Sequence, residues 1–423
     1  MTKGLIIAAP ASGSGKTTIT LGILRALQRS GVPVRGAKSG PDYIDPRFHE
    51  AASGHPALNL DAWAMTDEQI TKRASGDGLL IIEGAMGLFD GAPPGGKGAT
   101  ADLARSLGLP VVLVVDAARM AQSIAPIVQG FALHDPKVKI VGVILNKVGS
   151  PRHEKMLRRA LEQTGLPVLG TLPRVSGLTH PSRHLGLVQA SERPDLETFL
   201  DHAADQVLEA VDLHSLQACA TDLPAAPQLP LGKPPAQTIA IARDAAFAFS
   251  YPHMLADWHA AGATLSFFSP LADEAPSPAD FIFLPGGYPE LHAAQLAAAH
   301  KFRAGMSRAA ETATIYGECG GYMTLGKALT DADGVAHEML GLLPLETSFE
   351  QRALHLGYRH LTPLRGPFAT PMAAHEFHYA TTIKADGPAL FEATDAEGIR
   401  LEPMGLRRGR ICGSFAHIID WVD

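Results

Sequence analysis

The chain has 423 residues, more than the roughly 100 to 200 of one domain, so a single small domain is excluded and two or three folded units are expected. With 46% hydrophobic and 19% charged residues it can bury sizeable cores, which excludes a disordered polymer. Its 43 acidic and 36 basic residues leave a net charge of −7, so no bulk positive field attracts nucleic acid, and small anions must be met at local sites.

Residues 1–10 are apolar after Lys3 and run directly into a Gly/Ser loop with no cleavage pattern, so they read as a core strand of a cytoplasmic protein. The longest purely aliphatic stretch, 111–115, is far shorter than the about 20 residues of a membrane span, so no transmembrane helix is expected. Apolar strand-like runs at 5–9, 34–38, 79–83, 111–116, 140–146 and 168–172 alternate with helical stretches. That alternation predicts right-handed crossovers, a largely parallel sheet, and ligands at the carboxyl ends of its strands.

After the first run come Ala9, Pro10, Ala11, Ser12, Gly13, Ser14, Gly15, Lys16, Thr17 and Thr18, then an amphipathic helix to Arg29. A Gly-rich turn opening a helix aims backbone N–H groups at phosphates; Lys16 would reach the β/γ-phosphates and Thr17 would hold Mg2+. Pro10 stands where the usual phosphate-loop pattern has its first glycine, but Gly13 and Gly15 still permit close approach. An ordinary turn with a surface lysine is the alternative; ATP binding fits more of the context. Asp116, ending a strand, sits where a second Mg2+-organising carboxylate belongs. Asn146 and Lys147 end another strand and are candidates for contact with the nucleotide base.

The second run leads into Gly40, Pro41, Asp42, Tyr43, Ile44, Asp45 and Pro46, a loop at a strand end where function commonly resides. A purely local turn held by Asp42 and Asp45 is the competing reading. The third run ends in Glu83, followed by Gly84, Ala85, Met86, Gly87, Leu88, Phe89, Asp90 and Gly91. A carboxylate ending so apolar a strand must be paired or metal-bound to offset desolvation. Lys16, Lys38, Asp42, Asp45, Glu83 and Asp90 are therefore expected at one sheet edge, a mix suited to phosphorylating a carboxylate beside Mg2+.

Five prolines between 224 and 237 mark a linker. It separates a first domain, 1–223, from a second, 238–423. The second domain resumes with strands at 238–242, 265–268, 281–284 and 314–317, helical stretches at 252–262 and 289–312, and more antiparallel pieces at 357–361, 377–383 and 410–415. Residues 314–323 read as strand, tight turn and helix, with Cys319 at the elbow between Glu318 and Gly320. That setting projects a nucleophile and should lower its pKa at the helix N-terminus. The odd set of three cysteines argues for reduced thiols rather than disulfides, and Cys219 and Cys412 read as inert packing. His417 is the candidate base, and Gly286, Gly287 and Gly320 are candidates for an oxyanion hole. His375, Glu376 and His378 alternate along a strand, but no further Cys/His set at suitable spacing completes a metal site.

Taken together, the phosphate loop, G-P-D-Y-I-D-P, E-G-A-M-G-L-F-D-G, L-P-G-G-Y-P-E, Y-G-E-C-G-G-Y-M, H-E-F-H-Y and G-S-F-A-H closely resemble the glutamine-dependent a,c-diamide synthases of corrinoid biosynthesis, which act on cobyrinic or hydrogenobyrinic acid. The resemblance covers nearly the whole chain. It implies an α/β fold: a dethiobiotin-synthetase-like, P-loop parallel-sheet domain for amide synthesis, and a class I glutamine amidotransferase domain of flavodoxin-like α/β type. Glutamine would be hydrolysed through a thioester on Cys319 with His417 as base, and ammonia would attack an acyl phosphate made with ATP and Mg2+. It further implies Gly13, Ser14, Gly15, Lys16, Thr17 and Thr18 on ATP, Glu83 near Mg2+, and the Asp42–Asp45 loop near substrate carboxylates.

One departure stands out. Many class I amidotransferases carry His-x-Glu, whereas here Ile419 lies two residues after His417 and Asp420 is at another spacing. Either the pair works without a third member or another acid orients His417. The same chemistry on another tetrapyrrole, such as a nickel sirohydrochlorin, and a non-enzymatic nucleotide-binding regulatory protein are the alternatives. The oligomeric state is not readable from the sequence, and a homodimer stays open.

Overall fold

The computed structural model describes residues 2–174, 182–183, 186–230 and 232–422; Met1, Leu231 and Asp423, which fall within the expected domains and linker, lie outside the described residues. The chain divides into two compact units, Met1–Leu229 and Pro230–Asp423, and the division falls inside the proline-rich stretch. Among the described residues no helix is long and apolar enough to cross a membrane.

The first unit is built on a sheet of order β3-β2-β4-β1-β5-β6-β7. Its strands are β1 (Lys3–Ala8), β2 (Val34–Ser39), β3 (Leu58–Leu60), β4 (Leu79–Glu83), β5 (Val111–Asp116), β6 (Ile140–Val148) and β7 (Val168–Pro173). The seven pair in parallel. In β1 and β5 the residues Leu5 to Ile7 and Val111 to Val115 are almost wholly buried, because a parallel sheet covered by helices has no wet face and selects continuous apolar runs. Each such side chain contributes about 1.5–3 kcal/mol through burial. Helix α1 (Lys16–Arg29) packs Ile19, Ile23, Leu24 and Leu27 into this core. The sequence reading does not contain β3 or the pair Thr221–Asp222 that runs antiparallel to the start of β1. Both are too short to show periodicity.

The second unit holds a six-stranded sheet in the order Thr264–Phe268, Thr238–Ala242, Phe281–Leu284, Thr314–Glu318, Ile411–Ser414 and Leu406–Arg408. All neighbours are parallel except the last pair. Residues 410–415, expected to be antiparallel in character, thus join the parallel sheet beside the strand that leads to Cys319. The expected single strand 377–383 is two, Met372–His378 and Thr381–Ala385, which enter different four-stranded sheets. The expected helical stretch 289–312 breaks at Ala299. There Asp273 accepts the N–H groups of Lys301 (2.7 Å) and Phe302 (3.0 Å) and so caps a new helix, His300–Ala309.

Candidate active sites

The phosphate loop connects β1 to α1. Gly15 adopts a left-handed φ of 89°, and a Cβ there would lie 2.2 Å from Asn146 Nδ2, so only glycine fits both the turn and its neighbour. Ser14 closes the loop by donating to the Ala11 carbonyl (2.8 Å). Lys16 is buried and donates to the Met86 carbonyl (2.6 Å). Burial, with Lys38 nearby, lowers its pKa from the usual lysine value. A cavity of about 280 Å³ opens here, lined by Gly13, Gly15, Lys16, Thr17 and Thr18 and, across from them, Lys38 and Glu83.

Glu83 and Lys38 meet because β2 and β4 are parallel neighbours in a register that pairs their Cα positions; β1, carrying the loop, is the next strand. One Glu83 oxygen accepts Thr17 Oγ1 (2.6 Å) and Lys38 Nζ (2.7 Å). The other faces His49 Nε2 at 2.6 Å. Burial would raise Glu83, but Lys38 and His49 hold it below the ordinary carboxylate range. Burial would likewise lower Lys38, and Asp45 and Glu83 hold it well above its ordinary value. Of the acids around Lys38, Asp45 is the one pushed up, by burial and by Asp42. The sequence reading missed His49, which is wholly buried on α2 (Asp45–Ser53). Its signal was Gly36 inside β2: a Cβ there would sit 2.7 Å from the His49 Cβ.

The loop after β2 forms a local turn beside Lys38. Asp42 accepts the N–H groups of Ile44 (2.8 Å) and Asp45 (3.0 Å) as a local turn, and its other oxygen lies 3.8 Å from Lys38 Nζ. Asp45 is ion-paired with Lys38, and Tyr43 beside them is half-buried. Asp90 is exposed and accepts the Gly87 N–H (2.9 Å), which holds the turn after β4.

Asn146 donates to the Ser14 carbonyl (2.8 Å), and Lys147 donates to the Gly13 carbonyl (2.9 Å) and to Asp116 (2.7 Å). Asn146 and Lys147, the candidates for contact with the base, thus also buttress the phosphate loop. The expected Mg2+ carboxylate is the partner of Lys147, outside the cavity lining that holds Glu83. Register brings Asp116 and Asn146 together as Cα partners in β5 and β6, on the side of β1 opposite β4.

In the second unit, Cys319 follows the strand Thr314–Glu318 with φ 45° and ψ −102°, a strained elbow for a residue with a side chain. Its N–H donates to the Ser414 carbonyl (2.8 Å), which ties it to the segment leading to His417. The side chain is 3% exposed. Burial, then Glu290, pushes the thiol pKa up, contrary to the lowering expected from the helix N-terminus; desolvation outweighs a helix of six residues. His417 is buried too, and burial together with His375 and His378 lowers it to about 3. The resting pair is therefore neutral thiol and neutral imidazole.

Around them the expected oxyanion glycines converge. A Cβ on Gly320 would lie 3.0 Å from the Gly287 N, and one on Gly286 would lie 2.2 Å from the His417 Cε1. Gly286 thus makes room for the imidazole, while Gly287 and Gly320 bring main chain together. Cys412 is buried in Ile411–Ser414, its thiol pushed up to about 12 by burial. Cys219 is half-buried at a helix end, also raised by burial.

His375, Glu376 and His378 lie on Met372–His378, whose register places His375 opposite His417. The fold adds a residue that sequence spacing hid: His355, Glu376 and His378 bring ligand atoms within 4.8 Å of one another. Glu376 is nevertheless already engaged, by Arg359 (2.9 and 2.8 Å) and by His378 (3.0 Å).

Comparison with known proteins covers both units. The family model described as "CobQ/CobB/MinD/ParA nucleotide binding domain" matches residues 5–188, and "CobB/CobQ-like glutamine amidotransferase domain" matches 238–421. A hydrogenobyrinate a,c-diamide synthase of Brucella anthropi is 56% identical over 99% of this chain and 99% of that protein. Proteins of the same name from Sinorhizobium and Rhodobacter capsulatus are 56% and 54% identical, each over 99% of this chain and 98% of their own length.

Proposed function

Because the chain belongs to the hydrogenobyrinate a,c-diamide synthase family, we propose that it joins a glutaminase centred on Cys319 and His417 to an ATP-dependent synthetase centred on Lys16, Thr17, Lys38 and Glu83. It is a glutamine-dependent, amide-forming ligase of cobalamin biosynthesis, converting the a and c carboxylates of its corrinoid substrate to amides. The observation that carries the assignment of residues is the convergence of Lys38, Glu83 and Thr17 on the phosphate-loop cavity.

At the synthetase site, loop N–H groups and Lys16 would hold the ATP phosphates, and Lys38 would orient a substrate carboxylate toward the γ-phosphorus. Carboxylate oxygen attacks phosphorus, ADP leaves, and the acyl phosphate then accepts ammonia at carbon, releasing phosphate and a proton. Thr17 Oγ1 and the ionised Glu83, 2.6 Å apart, are hard oxygen donors that fit Mg2+. Bound there, the ion would neutralise phosphate charge. The Asp42–Asp45 loop, with Tyr43, would meet the substrate beside Lys38.

At the glutaminase site, the Cys319 proton passes to His417 as sulfur attacks the amide carbon of glutamine. His417 returns the proton to the departing ammonia, and water hydrolyses the thioester to glutamate. The Gly287 and Gly320 N–H groups would receive the oxyanion. Gly286→Ala, which forces the imidazole aside, is expected to lower glutamine-dependent turnover by about 10²-fold. Ammonia-dependent turnover should be unchanged; comparing rates with the two nitrogen sources checks this.

The relatives' shared name favours the metal-free ring over the cobalt-containing one and over other tetrapyrroles, and their being synthases sets aside a non-enzymatic regulator. The test is a mass-spectrometric assay with ATP, Mg2+ and glutamine, offering hydrogenobyrinic and cobyrinic acids side by side. The expected result is two successive OH-to-NH2 mass decrements on the metal-free ring. No decrement on either ring would overturn the reading.

A further inference from the structure

The sequence offers no glutamate two residues after His417, but the fold brings one from the other direction. Glu318 ends the strand Thr314–Glu318 and immediately precedes Cys319. Its Cα is the register partner of Ser414 on the adjacent parallel strand, and the chain then turns at Phe415 into Ala416–Trp421, which carries His417. The carboxylate therefore faces that strand's first residues. Oε1 accepts the N–H of Ile418 (3.1 Å) and Oε2 lies 3.8 Å from His417 Nδ1. Both side chains are almost wholly buried, at 3% and 1% exposure.

Other acids nearby are committed elsewhere. Glu376 is held by Arg359 and His378, and Asp420 Oδ1 accepts the N–H of Trp421 (2.9 Å). The Cε1 edge of the His417 ring rests against Gly286, where a Cβ would lie 2.2 Å away.

We propose that Glu318 is the acid that orients His417, a positioning residue supplied by the strand before the nucleophile in place of a His-x-Glu pair. The proposal rests on the reading of Cys319 and His417 as the glutaminase pair. An acceptor at Nδ1 selects the tautomer with hydrogen on Nδ1 and the lone pair on Nε2, the form able to take the thiol proton. As the imidazolium forms, the same carboxylate stabilises it. The contact then shortens from its resting length, as catalytic hydrogen bonds commonly do on substrate binding. Burial pushes Glu318 up to about 8, so the ionised form that accepts from Nδ1 gains population as pH rises through that value, and a cation at His417 favours it further.

Glu318→Gln keeps the shape and the acceptor for Ile418 N–H, but its amide can donate to Nδ1 and so stabilise the wrong tautomer. The expected result is a fall in glutamine-dependent kcat of roughly 10²-fold or more, the pattern of a lost orienting acid. KM for glutamine and ammonia-dependent amidation should stay within about twofold, which uniform damage to the glutamine site would not allow. Alkylation of Cys319 by iodoacetamide should slow in parallel, and Glu318→Asp should recover part of the rate. Glutamine-dependent turnover within about twofold of the unaltered chain in Glu318→Gln would overturn the proposal, given that unperturbed kinetics mean no transition-state interaction was lost. So would equal loss of both activities in the Gln and Asp variants, which would assign Glu318 to folding. Cys319→Ala, run alongside, separates the two levels: if it still uses glutamine, the glutaminase reading itself has failed.

Discussion

Cys319→Ala abolishes glutamine-dependent amidation, by about 10⁴-fold or more, while amidation supplied with ammonium salts continues. Removing the thiol leaves no atom to form the thioester, and no neighbour substitutes: Cys412 is buried within its own strand, Ile411–Ser414. Ammonia-dependent turnover survives because every group assigned to the acyl phosphate step, Lys16, Thr17, Lys38 and Glu83, lies in the first compact unit. The measurement is amide formation with each nitrogen source in turn, with circular dichroism confirming the fold. Loss of both activities in a folded variant would contradict the separation of the two steps. The substitution itself is mild. Cys319 sits at φ 45°, and alanine takes that conformation no less easily than cysteine, because both carry a Cβ.

Lys16→Ala has the complementary outcome: amidation stops with glutamine and with ammonia alike. The ammonium of Lys16 is the cation that the phosphate loop itself contributes, held between the Met86 and Ala11 carbonyls at 2.6 and 3.5 Å. Lys38 cannot replace it, being already engaged by Asp45 and Glu83. Without Lys16 the charge developing on the transferred phosphoryl group loses a preorganised donor, a loss of about 10² to 10³ in kcat. Steady-state rates with both nitrogen sources, together with ATP binding by calorimetry, test it; full turnover by the variant would remove the phosphate loop from the mechanism. Glutamate release assayed separately shows whether hydrolysis at Cys319 continues on its own.

These predictions draw unequally on sequence and fold. The phosphate loop, the acid ending β4 and the cysteine at an elbow were legible as local patterns, because a Gly-rich turn, a carboxylate closing an apolar run and a strand-turn-helix junction each carry their physical constraint within about ten residues. Relative placement was not legible. Lys38 and Glu83 are 45 residues apart and meet only through the β2–β4 register. His49 reaches Glu83 only because α2 lays it against Gly36.

The same limit explains what moved. Asn146 and Lys147 lie near the end of a strand that runs on to Val148, and the order of β1, β5 and β6 sets them against the loop's own main chain while Asp116 pairs with Lys147. The thiol of Cys319 was expected to be acidified by the helix that follows it; the depth of its burial, a property of the whole unit, reverses the sign. The chain by itself determined the family and the α/β class, and it supplied Cys319 and Lys16 as the proposed nucleophile and phosphate-binding lysine, since these reside in contiguous motifs. Tertiary structure alone decided which acid faces His417, which cation neutralises Glu83 and which side chains buttress the phosphate loop, because each of these is a contact between strands whose neighbours are set by sheet order and register.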